Sequence, residues 1–500
     1  MKTMLLLQKL NKLFVILFLL VSASVYASET KWEVAIVFRG EAEDEQFQKD
    51  IDENILELAR ITPTDSLKIG IYREMEGRSY TYLPSGTAKK EINFGEILYR
   101  QDLNQILLPG KLKKNSSANL DGFLKSFYKD KTSKKALIIY SHGKGSLGLS
   151  QLSTSDLKDT LSAIPHLDLL WFDACFMANM EFLYEMRAFS EYIISSEEAE
   201  FSSGLPFQTL TMLPGFQSAK EAAISLSKNF IESYSYIKNG SQRNYVSISS
   251  ATISVVESNK LETLARSLKM VSSVFKNLSE GQKNILNSTL HSKATMDEKS
   301  MIDLGILLIE MRKITSSPLT AVKLTALIRL LNIEAVKKLK TNPRIHIFNP
   351  GIESRLVYGF NNWQDGVISD VKENTVFDSI IKHDGFISGP NQNEWPYKLT
   401  KSRHMSLTPF APGINVFNYY FLNSKNNKLL SKALSVARTH DVVESYADSE
   451  ATPLAYTAYT QQVGFKAERY TGLNITFPGS VPSLDYFEME FNQLADWLSL

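Results

Sequence analysis

The sequence predicts an α/β protein: a mostly parallel sheet flanked by helices, followed by a C-terminal α+β accessory domain. Three observations predict it. Strand and helix signals alternate from Trp32 to Ser195, the order that builds a sheet with helices on both faces. The strand signals are continuous apolar runs rather than strict alternations, as a sheet covered on both faces requires. The second half loses this alternation and becomes helical, then rich in Asn, Gly, Pro and aromatics from about 343 to 425.

Each element has its own signal. Trp32 to Phe38 (WEVAIVF) reads as a first buried strand. Phe47, Ile51, Ile55 and Leu58 recur at helical spacing behind an acidic start, predicting an amphipathic helix. Leu67 to Tyr72 is a second strand, and Leu120, Phe123, Leu124 and Phe127 mark a helix leading into the strand Ala136 to Tyr140. Ser155 caps a short helix to about Ala163, which Pro165 ends before the apolar run from Asp168. Met177 to Phe189 reads as a helix springing directly from Cys175, and Tyr192 to Ser195 as a strand. Beyond these, Leu261 to Phe275, Ile302 to Ile314 and Val322 to Leu339 read as helices. Phe417, Tyr419, Tyr420 and Phe421 read as core aromatics, and Ile475 to Phe477 as a late strand before a helix to Leu500.

The chain opens on an export signal. Lys2, Lys9 and Lys12 precede the apolar run Leu13 to Val21, and Val25-Tyr26-Ala27 supplies small residues where a signal peptidase cuts. The run falls short of the roughly twenty residues of a comfortable membrane span. Residues 1–27 are therefore read as a signal peptide, 28–255 as the first domain and 256–500 as the accessory domain. The mature protein is expected to be secreted or periplasmic, with no membrane association after cleavage. Removing the three leader lysines from the 55 basic residues leaves 52 against 54 acidic ones, a balance without the electrostatic footprint for nucleic acid.

Cys175, the single cysteine, ends the run Asp168-Leu169-Leu170-Trp171-Phe172-Asp173-Ala174. The run Ala136-Leu137-Ile138-Ile139-Tyr140 leads likewise into Ser141-His142-Gly143. Functional groups gather at the carboxyl ends of strands in such sheets, so a thiol and an imidazole are brought side by side. Neither is a strong catalyst alone, and a neighbouring His activates a thiol as nucleophile. A helix starting at Cys175 would lower its pKa and offer the Cys175 amide to an oxyanion, with the Gly143 amide as second donor. His142 then carries the proton to the leaving amine. No Asp or Asn is obviously placed to orient the imidazole, so a dyad is expected. His166, His291, His346, His383, His404 and His440 lack paired metal spacing, and no metal or other cofactor is expected.

These residues resemble caspase-fold cysteine peptidases, in which one hydrophobic run ends in His-Gly and another in Ala-Cys. The nearer resemblance is to the clostripain family, through FLKSFYKDKTSKKALIIYSHG (residues 123–143) and DLLWFDACFMANMEFLYEMR (residues 168–187). Ser195 to Glu200 resembles that family's Ser-Glu-Glu stretch, and Met301 to Leu304 and Gly472 to Pro478 resemble its later segments. The loop Lys144 to Gly148 lacks the family's common Trp, and Phe201 and Leu205 stand where Pro and Trp are common.

The resemblance implies a caspase-like fold and an endopeptidase acting on protein or peptide substrates after Arg or Lys. Asp173, two positions before the thiol and so on the same side of the strand, suits a cation-binding pocket floor. The resemblance points to the same residue, and Glu198 is a second candidate for the pocket wall. Some relatives respond to calcium, though no site for it is identifiable. Many relatives self-cleave between the catalytic His and Cys; here Lys158 is the basic residue considered, and it falls in a helix. The alternatives are a catalytically silent peptidase-like binding protein and, more distantly, another acyl hydrolase using the same pair.

Overall fold

Trp32–Arg39 forms β1, buried along its whole length, and its side chains divide between two cores. Ala35 and Val37 pack on one face of the sheet; Val34, Ile36 and Phe38 pack on the other. The computed structural model describes residues 29–82, 110–238, 251–331 and 436–497 apart from short gaps within each, together with short strands between 337 and 407. The leader (1–27) and the aromatics at 417–421 lie outside the described residues.

Five parallel strands form the centre. β1 pairs with β2 (Leu67–Met75) on one side and β5 (Lys134–Tyr140) on the other. β5 pairs with β6 (Leu167–Asp173), and β6 with β7 (Ser190–Ser195). The sheet then continues antiparallel at both edges. β3 (Arg78–Tyr82) and β4 (Gly110–Leu112) extend it beyond β2. On the other side come β8 (Thr252–Glu257), β9 (Lys337–Lys338), β10 (His440–Tyr446) and β11 (Leu454–Gln462). The order is β9-β10-β11-β8-β7-β6-β5-β1-β2-β3-β4. The fold is thus α/β as expected, but "mostly parallel" holds only for its central strands; the whole sheet is mixed.

One face is covered by α1 (Glu45–Ala59), whose Phe47, Ile51, Ile55 and Leu58 are all buried as their spacing predicts. The other carries α2 (Ser116–Phe127), α3 (Thr154–Ser162) and α4 (Met180–Met186). Two local expectations are corrected. The cap of α3 is Ser153, closed into a capping box with Asp156, rather than Ser155. The other concerns α4, which begins at Met180, five residues after the cysteine, with Asn179 as its cap.

The second half is continuous with the first across residue 255. β8, β10 and β11 lie in the same sheet as β1, and Ile302, Leu473 and Trp497 share a core with Leu137 and Leu170. The expected accessory domain supplies one edge of the sheet and part of the packing beneath the strand ends.

Candidate active site

The register of β5 on β6 places the site. Tyr140 pairs with Asp173, and the Ser141 N–H donates to the Asp173 carbonyl at 3.3 Å. His142 and Cys175 each lie two residues beyond that last pair, on neighbouring strands leaving the carboxyl end of the sheet. Gly143 rests against the Cys175 peptide: a Cβ there would overlap the Cys175 carbonyl oxygen and lie 2.9 Å from Met177 Sδ. The Gly143–Leu149 bridge is closed by the His142 carbonyl, taking the Ser150 N–H at 2.8 Å, and by the Lys144 N–H on the Gly148 carbonyl at 2.9 Å. The Gly143 N–H takes no part in that bridge.

Cys175 is followed by Phe176 in the left-handed region, φ +62°. A bulky residue there is unusual and signals a chain held by its surroundings. The holding bonds come from the strand next door: the Phe176 N–H donates to the Glu198 carbonyl at 3.2 Å and the Ala178 N–H to the Ser196 carbonyl at 2.6 Å. These bonds delay the helix, so the thiol does not sit at its N-terminus. Burial instead pushes the Cys175 thiol up, and the charges of Glu198 and Asp173 push it the same way. The expected lowering by the helix dipole is therefore overturned. The Glu200 N–H does donate to Sγ, at 3.2 Å, which opposes the rise.

Asp173 is buried, and its Oδ2 accepts the Leu205 N–H at 2.9 Å. Gly204 makes that approach possible: its φ is +58°, and a Cβ there would lie 2.7 Å from Asp173 Oδ2. Glu198, the expected wall residue, is buried, with its Oε1 accepting the Ala199 N–H at 3.0 Å and its Oε2 meeting Tyr470 Oη at 3.5 Å. Glu200 lies beside Cys175 and close enough to Asp173 for the two carboxyls to interact. Burial, then the Asp173 and Cys175 charges, pushes its carboxyl well above the ordinary range. The sequence signal was the acidic run Glu197-Glu198-Ala199-Glu200, which does not say which acid lies beside Cys175.

His142 has a partner the sequence did not reveal. Its Nε2 lies 3.1 Å from Asp44 Oδ2, and Phe47 stacks on its ring at 4.0 Å between centroids. Asp44 is 98 positions away in sequence, and no local pattern marks it.

Residues of the C-terminal half brace these loops. Asn474 Nδ2 donates to the Phe176 carbonyl at 3.3 Å and the Glu197 carbonyl at 2.7 Å. Glu197 accepts the Gly472 N–H at 2.6 Å and hydrogen-bonds Asp303 in a fully buried acid pair. Asp303 itself accepts from the N–H groups of Ile306 and Thr471, both at 2.7 Å. Burial drives Glu197 well above the carboxylate range, and the Asp303 charge pushes it the same way. Among the described residues no cluster of three His, Cys, Asp or Glu could hold a metal ion, and no helix is long and apolar enough to cross a membrane.

Residues 101–499 match the model of the clostripain family. Among solved structures, the chain is similar to a secreted cysteine protease of Bacteroides thetaiotaomicron bound to an irreversible peptide inhibitor: 13% identity, 94% of this chain and 100% of that one, TM-score 0.48. It is also similar to an inactive protease zymogen of Parabacteroides distasonis, with 14% identity, 94% and 99% coverage and a TM-score of 0.46. No curated protein matches the chain.

Proposed function

The chain belongs to the clostripain family and is a cysteine peptidase, and we propose that it is an exported endopeptidase cleaving after Arg or Lys with Cys175 as nucleophile. His142 takes the thiol proton as sulfur attacks the scissile carbonyl, and returns it to the leaving amine. The resulting thioester is hydrolysed by water that His142 deprotonates. The Gly143 and Cys175 N–H groups receive the oxyanion. Because burial holds the resting thiol protonated, its proton leaves at the step of attack rather than from a standing ion pair.

The observation that carries the specificity is the Asp173–Glu200 pair beside the thiol, a buried anionic site that favours a guanidinium or ammonium group. A bound cation would also offset the Asp173 charge that raises the thiol, tying activation to substrate. Export rests on the leader-like first 27 residues. We further propose that no cleavage between His142 and Cys175 is required. Lys158 lies within α3, and its Nζ is paired with Glu185 at 2.6 Å and Glu490 at 2.9 Å.

Cys175→Ala and His142→Ala test the pair. Each should abolish hydrolysis of Arg- and Lys-peptides, and the double variant should lose little more than either alone, because the two groups act as a unit. Turnover by Cys175→Ala equal to wild type would overturn the assignment.

A further inference from the structure

We propose that Asp44 is a positioning residue for His142, holding the imidazole so that Nδ1 is the nitrogen that exchanges the proton with Cys175. This rests on the reading of His142 as proton carrier. The His142 Nε2–H donates to Asp44 Oδ2 at 3.1 Å. That bond fixes the tautomer, leaving the neutral ring's lone pair on Nδ1.

The carboxylate is itself held in place. Asp44 stands immediately before α1 (Glu45–Ala59), and its Oδ1 accepts the Phe47 N–H at 2.9 Å, an N-cap bond. One oxygen thus caps the helix while the other reaches the histidine. The same turn supplies a second restraint. The Phe47 ring lies between Tyr140, at 4.9 Å and 14°, and the His142 imidazole, at 4.0 Å and 25°. Gly40 allows that approach, since a Cβ there would sit 2.6 Å from the Phe47 ring. A further latch joins the same two loops: the Ser150 hydroxyl donates to Glu41 Oε1 at 2.5 Å, while the Ser150 N–H holds the His142 carbonyl. An imidazole stacked on one face and bonded at one nitrogen has little rotational freedom left. Removing the bond should cost rate by misplacing the base rather than by weakening substrate binding.

The double duty of Asp44 provides the test. Asp44→Ser keeps a good helix cap but cannot reach His142, whereas Asp44→Asn has a single acceptor oxygen and can serve either the cap or the Nε2–H, not both at once. With an Arg-peptide, Asp44→Ser should lower kcat on the order of tenfold to a hundredfold, the rate equivalent of one charge-assisted hydrogen bond. KM and melting temperature should stay near wild type, and Asp44→Asn should fall in between. Wild-type kcat in Asp44→Ser would overturn the proposal, as would a loss that follows KM or melting temperature in both variants. Undiminished turnover by His142→Ala would instead sink the underlying reading of the histidine.

Discussion

Replacing Gly143 with alanine puts the smallest possible perturbation where the two active loops touch. The new methyl would overlap the Cys175 carbonyl oxygen and lie 2.9 Å from both the Cys175 carbonyl carbon and Met177 Sδ. Two of those three atoms are backbone, so no side-chain rotation relieves the clash. Reaching even the 3.0 Å limit seen for real Cβ atoms requires the His142 and Cys175 loops to part by more than an ångström. A displacement of that size between reacting groups costs about a hundredfold in rate, and overpacking costs about 1–3 kcal/mol of stability. The assay is kcat/KM on an Arg-peptide beside a denaturation curve. Gly122→Ala is the control, because a Cβ there meets nothing within 4 Å. Gly143→Ala should lose on the order of a hundredfold while remaining folded, and Gly122→Ala should match wild type. Activity of Gly143→Ala within a few-fold of wild type would refute the close apposition of the loops.

Alkylation of Cys175 by a small neutral reagent should show a midpoint above the ordinary thiol value, because burial disfavours the thiolate; a midpoint below that value would contradict the placement of the helix start. Glu197→Gln should change the pH dependence of stability. Glu197 has a folded pKa raised above its unfolded one, so its contribution is present below the unfolded value and is lost as pH rises towards the folded value. Denaturation between about pH 5 and 7 should show the variant gaining on wild type by up to roughly 1.4 kcal/mol per pH unit; a pH-independent difference would refute the buried proton.

The parts of this protein legible in its sequence are those set by local pattern. β1, β5 and β6 are buried on both faces and read directly as apolar runs, and the chemistry-bearing residues lie just past their ends. The delayed start of α4 was not legible, because it depends on Phe176 and Ala178 bonding to the strand end at Ser196 and Glu198. The same holds for the placement of Glu200 beside Cys175 and of Asp44 beside His142, both fixed by tertiary contacts. Nor does the second half read as part of the same body. The strands it adds to the large sheet are antiparallel edge additions, and among its ties to the site is one side chain, Asn474, bonded across 298 positions to Phe176. The resemblance of Gly472 to Pro478 to a family segment pointed at importance without giving this physical reason.

The central claim, a Cys175 nucleophile beside an anionic pocket, is tested most directly by one labelling measurement. The wild-type protein is treated with matched irreversible electrophilic peptides carrying Arg, Lys or an uncharged residue at the key position, and the adduct is mapped by mass spectrometry. The account predicts a single adduct on Cys175, formed far faster with Arg and Lys than with the uncharged peptide. Asp173→Asn should reduce that preference on the order of thirtyfold or more, the equivalent of losing one partner of a buried charged pair. Equal labelling by all three peptides, or an adduct at any other residue, would contradict it.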